Sequence, residues 1–190
     1  MFERIKQLVV TPRVQRPPSF RDKAVLVVDL QYGYIGDMES LTTKNAELDA
    51  TKRLLLWAKK ANVEIIYLEY RDKGRAGTTI PTLFEEGEKP TIIDKWVPSG
   101  FEDGKLFQAL NAIRVSDLII CGYNVNACVY ETAKDARKFG FKLEMSQDTL
   151  FRGKGEKPGI FREAILADFY KNEVKMHPNV DLMIQSHRTK

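Results

Sequence analysis

The feature of the sequence that most constrains its fold is a set of short apolar runs without polar alternation. The clearest runs are AVLVVDL at residues 24–30 and DLIICGY at residues 117–123. A strand with one face in water alternates apolar and polar residues, whereas a strand covered on both faces does not. These runs therefore predict inner strands of a parallel sheet that is covered by helices on both sides.

Segments with helical spacing of apolar residues separate the predicted strands. Helices are predicted over 44–61, 106–113, 127–139 and 160–170, and further strands over 63–70, 91–94, 141–146 and 173–176. Strands that alternate with helices form right-handed βαβ units. We therefore expect an α/β fold, a Rossmann-like three-layer αβα sandwich with a mostly parallel central sheet. Residues 1–22, which show no clear period, are predicted to form an N-terminal arm before a single domain at 23–190.

The charge balance of the chain argues against a polyanion-binding protein. The sequence has 30 basic and 26 acidic residues, a net charge of +4, and the two signs are mixed along the chain. A nucleic-acid binder concentrates its basic residues on one face or in one run. No apolar window reaches the ~18 residues of a membrane helix. With two cysteines and no visible signal segment, we expect a cytoplasmic protein that binds neither nucleic acid nor membrane.

Two charged side chains fall at predicted carboxyl ends of strands, where open parallel sheets bind their ligands. Asp29 directly follows the apolar residues 24–28. An aspartate in this position is also common as a turn or capping residue. Lys95 directly follows the strand predicted at 91–94. Most lysines are simply exposed at the surface. Both residues are candidates for catalysis. The alternatives are a turn or capping role for Asp29 and simple surface exposure for Lys95.

Cys128 is the candidate nucleophile. It follows a predicted strand by a short loop and begins a predicted helix, where backbone N–H groups and the helix dipole stabilise a thiolate. Most buried cysteines act as small apolar residues, and that interpretation suits Cys121, in the middle of a strand, better than Cys128. The two histidines, His177 and His187, both lie near the C-terminus and do not favour a histidine base. A carboxylate and a lysine are then the expected activators of the thiol.

Three segments of the chain resemble the signature segments of the isochorismatase-like cysteine hydrolase superfamily. They are AVLVVDLQYGYIGD, IIDKWVPSGFED and LIICGYNVNACVYETAKDARKFGFKLEMSQD. The resemblance implies that Asp29, Lys95 and Cys128 are the catalytic residues. It also implies a cis peptide bond between Tyr123 and Asn124, and an oxyanion hole formed by the backbone N–H groups of Asn124 and Cys128. Members of the superfamily are commonly dimers or tetramers, so a homo-oligomer is expected.

The sequence also departs from parts of the superfamily. Residues 69–95 contain no histidine, whereas metal-dependent relatives carry histidine ligands in this region, so neither a metal site nor another cofactor is expected. Relatives that cleave a vinyl ether often lack the cysteine. Cys128 therefore favours hydrolysis of a C–N bond in a small molecule, such as an amide, imide or ureido group, through a thioester. The alternatives are a catalytically silent binding or scaffold protein on the same fold, and a vinyl-ether hydrolase.

Several aromatic and polar residues are candidates for lining a substrate pocket. They are Gln31, Tyr34, Trp96, Phe101 and Tyr123. Aromatic side chains in such numbers would suit a small planar substrate. Packing in the core or in an interface is an equally reasonable role for them.

Overall fold

The computed structural model of the chain describes residues 22–35, 41–71, 77–80, 83–85, 87–153 and 160–188. In chain order its elements are β1 (Lys23–Val28), α1 (Tyr32–Ile35), α2 (Leu41–Lys60), β2 (Glu64–Tyr70), β3 (Thr91–Lys95), α3 (Lys105–Ala112), β4 (Asp117–Gly122), α4 (Cys128–Lys138), β5 (Lys142–Ser146), α5 (Ile160–Lys171), β6 (Lys175–His177) and α6 (Val180–Arg188). A short 3-10 helix, Gln147–Thr149, follows β5.

The six strands form one sheet in the order β3-β2-β1-β4-β5-β6. Every neighbouring pair in this sheet is parallel. The predicted α/β class and Rossmann-like arrangement are therefore confirmed. The order reverses between β1 and β4, and this switch point is where sheets of this kind bind ligands. The register pairs Val28 with Gly122, so β1 and β4 end side by side.

The apolar run of β1 is buried on both faces of the sheet. Ala24, Leu26 and Val28 pack into one core, together with side chains of α3 and α4. Val25 and Val27 pack into the opposite core, together with side chains of α2 and α6. All five side chains are fully buried. The absence of polar alternation in this segment is therefore explained by a helical layer on each face.

The predicted helices and strands agree with the observed ones to within a few residues. Two observed helices, α1 and α6, were not predicted from the sequence. The predicted N-terminal arm, residues 1–22, lies outside the described residues except for Asp22, whose carbonyl accepts hydrogen bonds from the N–H groups of Ser116 and Asp117. None of the helices in the described ranges combines the length and apolar character that crossing a membrane would require.

Candidate active site

The three predicted catalytic side chains meet beyond the carboxyl ends of the central strands. Asp29 follows β1, Lys95 is the last residue of β3, and Cys128 is the first residue of α4, which follows β4. Since β2 separates β1 from β3, the lysine must reach across the end of β2. Its ammonium lies 4.5 Å from the centroid of the Tyr70 ring, at the end of β2. The face of an aromatic ring attracts a cation, so the Tyr70 ring stabilises the Lys95 ammonium in this position.

Asp29 and Lys95 form a buried ion pair. Lys95 Nζ lies 2.8 Å from Asp29 Oδ2. The aspartate is 0% exposed and the lysine 3% exposed. Charges buried to this degree need a partner of opposite sign, because desolvation otherwise neutralises them. The ion pair therefore favours the charged forms of the carboxylate and the ammonium in a site that is shielded from bulk solvent.

The backbone around Asp29 turns sharply so that its side chain lies at the edge of the sheet. Asp29 has a φ of 49°, in the left-handed region, where aspartate is tolerated better than most residues. Its N–H donates to the carbonyl of Leu68 at 3.0 Å, and its carbonyl accepts from the N–H of Gln31 at 2.8 Å. The carboxylate is thus fixed by a hydrogen-bonded turn.

The Cys128 thiol connects to both members of the ion pair. The sulfur lies beside the Asp29 carboxylate and the Lys95 ammonium, close enough for both groups to shift the pKa of the thiol. Cys128 remains partly exposed, in contrast to the buried Cys121. The site therefore has an accessible sulfur beside a proton acceptor and a positive charge, which is the arrangement that nucleophilic catalysis by cysteine needs.

Burial governs the protonation of the site. It raises the pKa of the Asp29 carboxyl, and the ion pair with Lys95 only partly opposes this effect. Burial, followed by the negative charge of Asp29, raises the pKa of the Cys128 thiol to about 12, while Lys95 acts in the opposite direction. From the sequence, a stabilised thiolate was predicted at the start of this helix. In the structure the pKa of the thiol is instead raised, because the sequence does not reveal the burial of the sulfur or its neighbouring carboxylate.

The loop between β4 and α4 brings Cys128 to the site. Gly122 has a φ of 127°, and a Cβ there would lie 2.1 Å from the carbonyl oxygen of Val28. The adjacent bond, Tyr123–Asn124, is a cis peptide bond. The Asn124 carbonyl accepts hydrogen bonds from the N–H groups of Ala127 and Val129, at 3.0 and 3.1 Å. This close approach to β1 is open only to glycine, so the path of the loop is set by the last residue of β4.

Three of the predicted pocket residues lie at the surface or are only partly buried. Tyr34 and Tyr123 stack with ring centroids 5.2 Å apart and an interplanar angle of 13°. Trp96, next to Lys95, is 66% exposed. The side chains of these residues are therefore accessible to a ligand, and their role in a pocket stays a prediction.

The other two predicted pocket residues have structural contacts. Gln31 is fully buried, and its amide donates to the carbonyls of Tyr70 and Gly77 and accepts from the N–H of Tyr70. Phe101 is 3% exposed and stacks on Phe139 with centroids 5.4 Å apart. Gln31 links backbone segments through hydrogen bonds, and Phe101 packs in a cluster of aromatic side chains. Packing was the alternative role considered for these residues from the sequence.

Sequence reasoning missed Tyr70 as a member of the site. Tyr70 is the last residue of β2 and is in register with Lys95. The same rule that selected Asp29 and Lys95, a chemically distinctive residue at the end of a parallel strand, could have found it. The two histidines lie elsewhere: His177 and His187 contact Glu144 at 2.7 and 3.1 Å.

Comparison with known proteins gives a consistent assignment. Residues 23–155 match the family model described as Isochorismatase domain. The chain is 28% identical over 133 residues to streptothricin hydrolase from Streptomyces noursei, a match that covers 66% of this chain and 48% of that protein. It therefore spans about half the length of this curated relative. It is also 23% identical over 155 residues to the secreted isochorismatase effector Isc1 from Verticillium dahliae, covering 76% of this chain and 80% of the relative.

Solved structures share the same fold. A crystal structure of a cysteine hydrolase from Pseudomonas syringae superposes with a TM-score of 0.75 at 20% sequence identity. The match covers 95% of this chain and 99% of that chain. At this identity the similarity establishes the architecture alone.

Proposed function

Because the chain belongs to the isochorismatase family, we propose that it is a cysteine hydrolase that cleaves a C–N bond of a small molecule through a thioester. The bond is an amide, imide or ureido bond. The observation that carries the proposal is the contact of the Cys128 thiol with both members of the buried Asp29–Lys95 pair, whose charged atoms are 2.8 Å apart. A structural cysteine has no need of a buried carboxylate and ammonium.

The first half of the reaction forms the thioester. The thiol proton of Cys128 moves to the Asp29 carboxylate while the sulfur attacks the carbonyl carbon of the substrate. Lys95 stabilises the negative charge that the sulfur and the carboxylate share. Asp29 then gives the proton to the leaving nitrogen as the C–N bond breaks. The raised pKa of Asp29 supports its role as a proton carrier, because burial makes this carboxylate a stronger base towards the thiol.

The second half of the reaction releases the acid product. Asp29 takes a proton from a water molecule, and the resulting hydroxide attacks the thioester carbon. The carbon–sulfur bond breaks, and the proton returns from Asp29 to the sulfur of Cys128. In both halves we assign binding of the oxyanion to the backbone N–H groups of Asn124 and Cys128. Each donor of this kind lowers the activation barrier by about 3–4 kcal/mol.

The proposed substrate is a small molecule with a planar group that can stack on exposed aromatic rings. The stacked pair of Tyr34 and Tyr123 is partly exposed and adjoins Asn124 in the chain. Trp96 is exposed beside Lys95. Planar groups bind well to such rings through stacking. The printed name of the Streptomyces noursei relative adds streptothricin as one compound to test.

The test is an activity screen with ammonia or amine release as the readout. Small amides, imides, ureido acids and streptothricin are incubated with the parent protein and with Cys128→Ala. A Cys121→Ala variant is the matched control, since it removes the same atom from a buried cysteine in the middle of β4. We expect turnover by the parent and the control and none by Cys128→Ala, with a covalent acyl adduct detected on Cys128 by mass spectrometry.

Three outcomes would contradict the proposal. Turnover by Cys128→Ala at the parent rate would mean that the sulfur is not the nucleophile. Compounds that raise the melting temperature of the parent without turnover or adduct would favour the silent binding protein. A vinyl ether is assayed in parallel by formation of its carbonyl product, and turnover confined to this compound would favour the vinyl-ether hydrolase.

We further propose a cytoplasmic, homo-oligomeric protein, either a dimer or a tetramer. Both cysteines are free thiols, which suits a reducing compartment. Tyr170 and Leu182 expose large apolar side chains, 53% and 46%, that a second copy would cover. Cell fractionation and light scattering after size-exclusion chromatography test the two statements. Recovery only outside the cell, or a monomeric mass, would contradict them.

A further inference from the structure

The turn that follows β3 holds Lys95 in place through its backbone. The Lys95 ammonium donates to the carbonyl oxygens of Val97 and Pro98, at 3.2 and 3.1 Å, while it pairs with Asp29. We call residues 97–100 the lysine-binding turn. A lysine side chain has many rotamers, so the ammonium stays opposite Asp29 only while these two carbonyls stay in position.

The lysine-binding turn is anchored on α4 by a buried hydrogen bond. The N–H of Gly100 donates to Oγ1 of Thr132 at 3.1 Å. Thr132 is fully buried. Gly100 also packs tightly against β2, since a Cβ there would lie 2.5 Å from the side chain of Leu68. The turn therefore sits between a strand and the hydroxyl of Thr132.

A second contact joins the same turn to the same helix. The Ser99 hydroxyl lies close enough to the Asp135 carboxylate on α4 to lower the pKa of that carboxyl. It also accepts a hydrogen bond from the N–H of Phe101 at 3.3 Å. Ser99 is 6% exposed, so this contact is well shielded from water.

Thr132 and Cys128 occupy one face of α4. They are four residues apart in the helix, a spacing that places side chains one above the other. The helix that begins with Cys128 thus also carries the acceptor that fixes the lysine-binding turn. We propose that Thr132 is a positioning residue, which sets the placement of Lys95 relative to Cys128 by anchoring the lysine-binding turn on α4.

This inference rests on the proposed function, and its test needs no substrate. Alkylation by iodoacetamide is measured separately for the two cysteines by mass spectrometry, at several pH values around pH 8. The variants are Thr132→Val, which keeps the shape and removes the hydroxyl, and Thr132→Ser, which keeps the hydroxyl. Thr51→Val is the matched control, because Thr51 is also a fully buried helical threonine with a hydrogen-bonded hydroxyl. Lys95→Met gives the effect of removing the lysine charge completely.

We expect Thr132→Val to slow Cys128 alkylation about three- to tenfold, in the same direction as Lys95→Met, because tenfold corresponds to one unit in the pKa of the thiol. Thr132→Ser should restore most of the parent rate, and Thr51→Val should leave it unchanged. Cys121 is fully buried, so its labelling reports general opening of the fold. It should stay unlabelled in all of these variants.

Three results would overturn the inference. They are an unchanged Cys128 rate in Thr132→Val, an equal loss in Thr132→Ser, and an equal loss in Thr51→Val. If Thr132→Val does not fold, Thr132→Ala tests the same anchor, and an unchanged Cys128 rate there is also a refutation. If Lys95→Met itself leaves the rate unchanged, the proposed function fails instead, so the two failures are distinguishable.

Discussion

Replacing Lys95 by methionine removes one charge of the buried ion pair while keeping most of the side-chain length. The two charges are 2.8 Å apart. At an effective dielectric constant near 20 their attraction is about 6 kcal/mol, and desolvation of both groups offsets much of it. Removing one partner of a buried pair leaves the other charge uncompensated, and the usual loss of stability is about 3–5 kcal/mol. We expect a loss of this size at about pH 8.

The loss should be smaller in acid. Burial already raises the pKa of Asp29 in the presence of Lys95. Without the lysine this pKa rises further above the value of about 3.9 in the unfolded chain. A group whose folded pKa is raised gives its full stabilisation below the unfolded pKa and loses it as the pH rises through the folded pKa. Both proteins lose this stabilisation above about pH 4, and the penalty in Lys95→Met relative to the parent grows once the pH rises past the folded pKa of Asp29 in the parent.

Urea denaturation of the parent and Lys95→Met at about pH 5 and pH 8 measures this dependence. Lys134→Met is the matched control, because Lys134 and Glu131 form an ion pair of the same 2.8 Å length with both side chains more than a third exposed. That variant should lose less than about 1 kcal/mol at either pH. A loss in Lys95→Met that is equally small, or that does not change with pH, would refute the reasoning from burial.

Two further substitutions test the loop and the far side of the fold. Gly122→Ala should cost more than about 3 kcal/mol or prevent folding, because its Cβ would meet the Val28 carbonyl. Gly140 has a φ of 85° and open space around the position of a Cβ, so Gly140→Ala should cost about 1 kcal/mol. Equal losses in urea denaturation would be inconsistent with the close approach at Gly122. Burial alone would raise the pKa of Glu144, but His187 and Lys175 lower it to about 2. The carboxylate therefore stabilises the fold by about 3 kcal/mol above pH 4.5 and loses this contribution as the pH falls towards 2. In Glu144→Gln the acid branch of the stability profile should flatten, and a profile parallel to that of the parent would speak against this assignment.

The sequence predicted the elements of the fold well because burial on both faces leaves a local signature. The run at 24–30 contains nothing but apolar residues up to Asp29, and the structure buries it between two helical layers. α6 was missed because it is short and its buried face consists of few residues, with Val180, Met183 and Ile184 as its buried side chains. The pattern of such a segment is too brief to separate a helix from a loop.

The positions of the site residues along the chain were predictable, whereas their contacts were not. Asp29 and Lys95 were found from the rule on strand ends, which needs only the order of the elements. Phe101 and Gln31 are close to the same strand ends in the sequence. In the structure, however, Phe101 packs in the core and Gln31 hydrogen-bonds to the backbone of neighbouring segments. The direction in which the pKa of Cys128 is shifted depends on the burial of the thiol and on its distance to Asp29. Both quantities are determined by three-dimensional packing alone.

The most direct test of the central claim is the rate of Cys128 alkylation at about pH 8 in Asp29→Asn and Lys95→Met. Because the Asp29 charge raises the pKa of the thiol and Lys95 lowers it, the two substitutions should act in opposite directions. Asp29→Asn should accelerate alkylation, and Lys95→Met should slow it, each by about tenfold for one unit of pKa. A change in the same direction in both variants, or in neither, would contradict an account in which these three groups form one electrostatic unit.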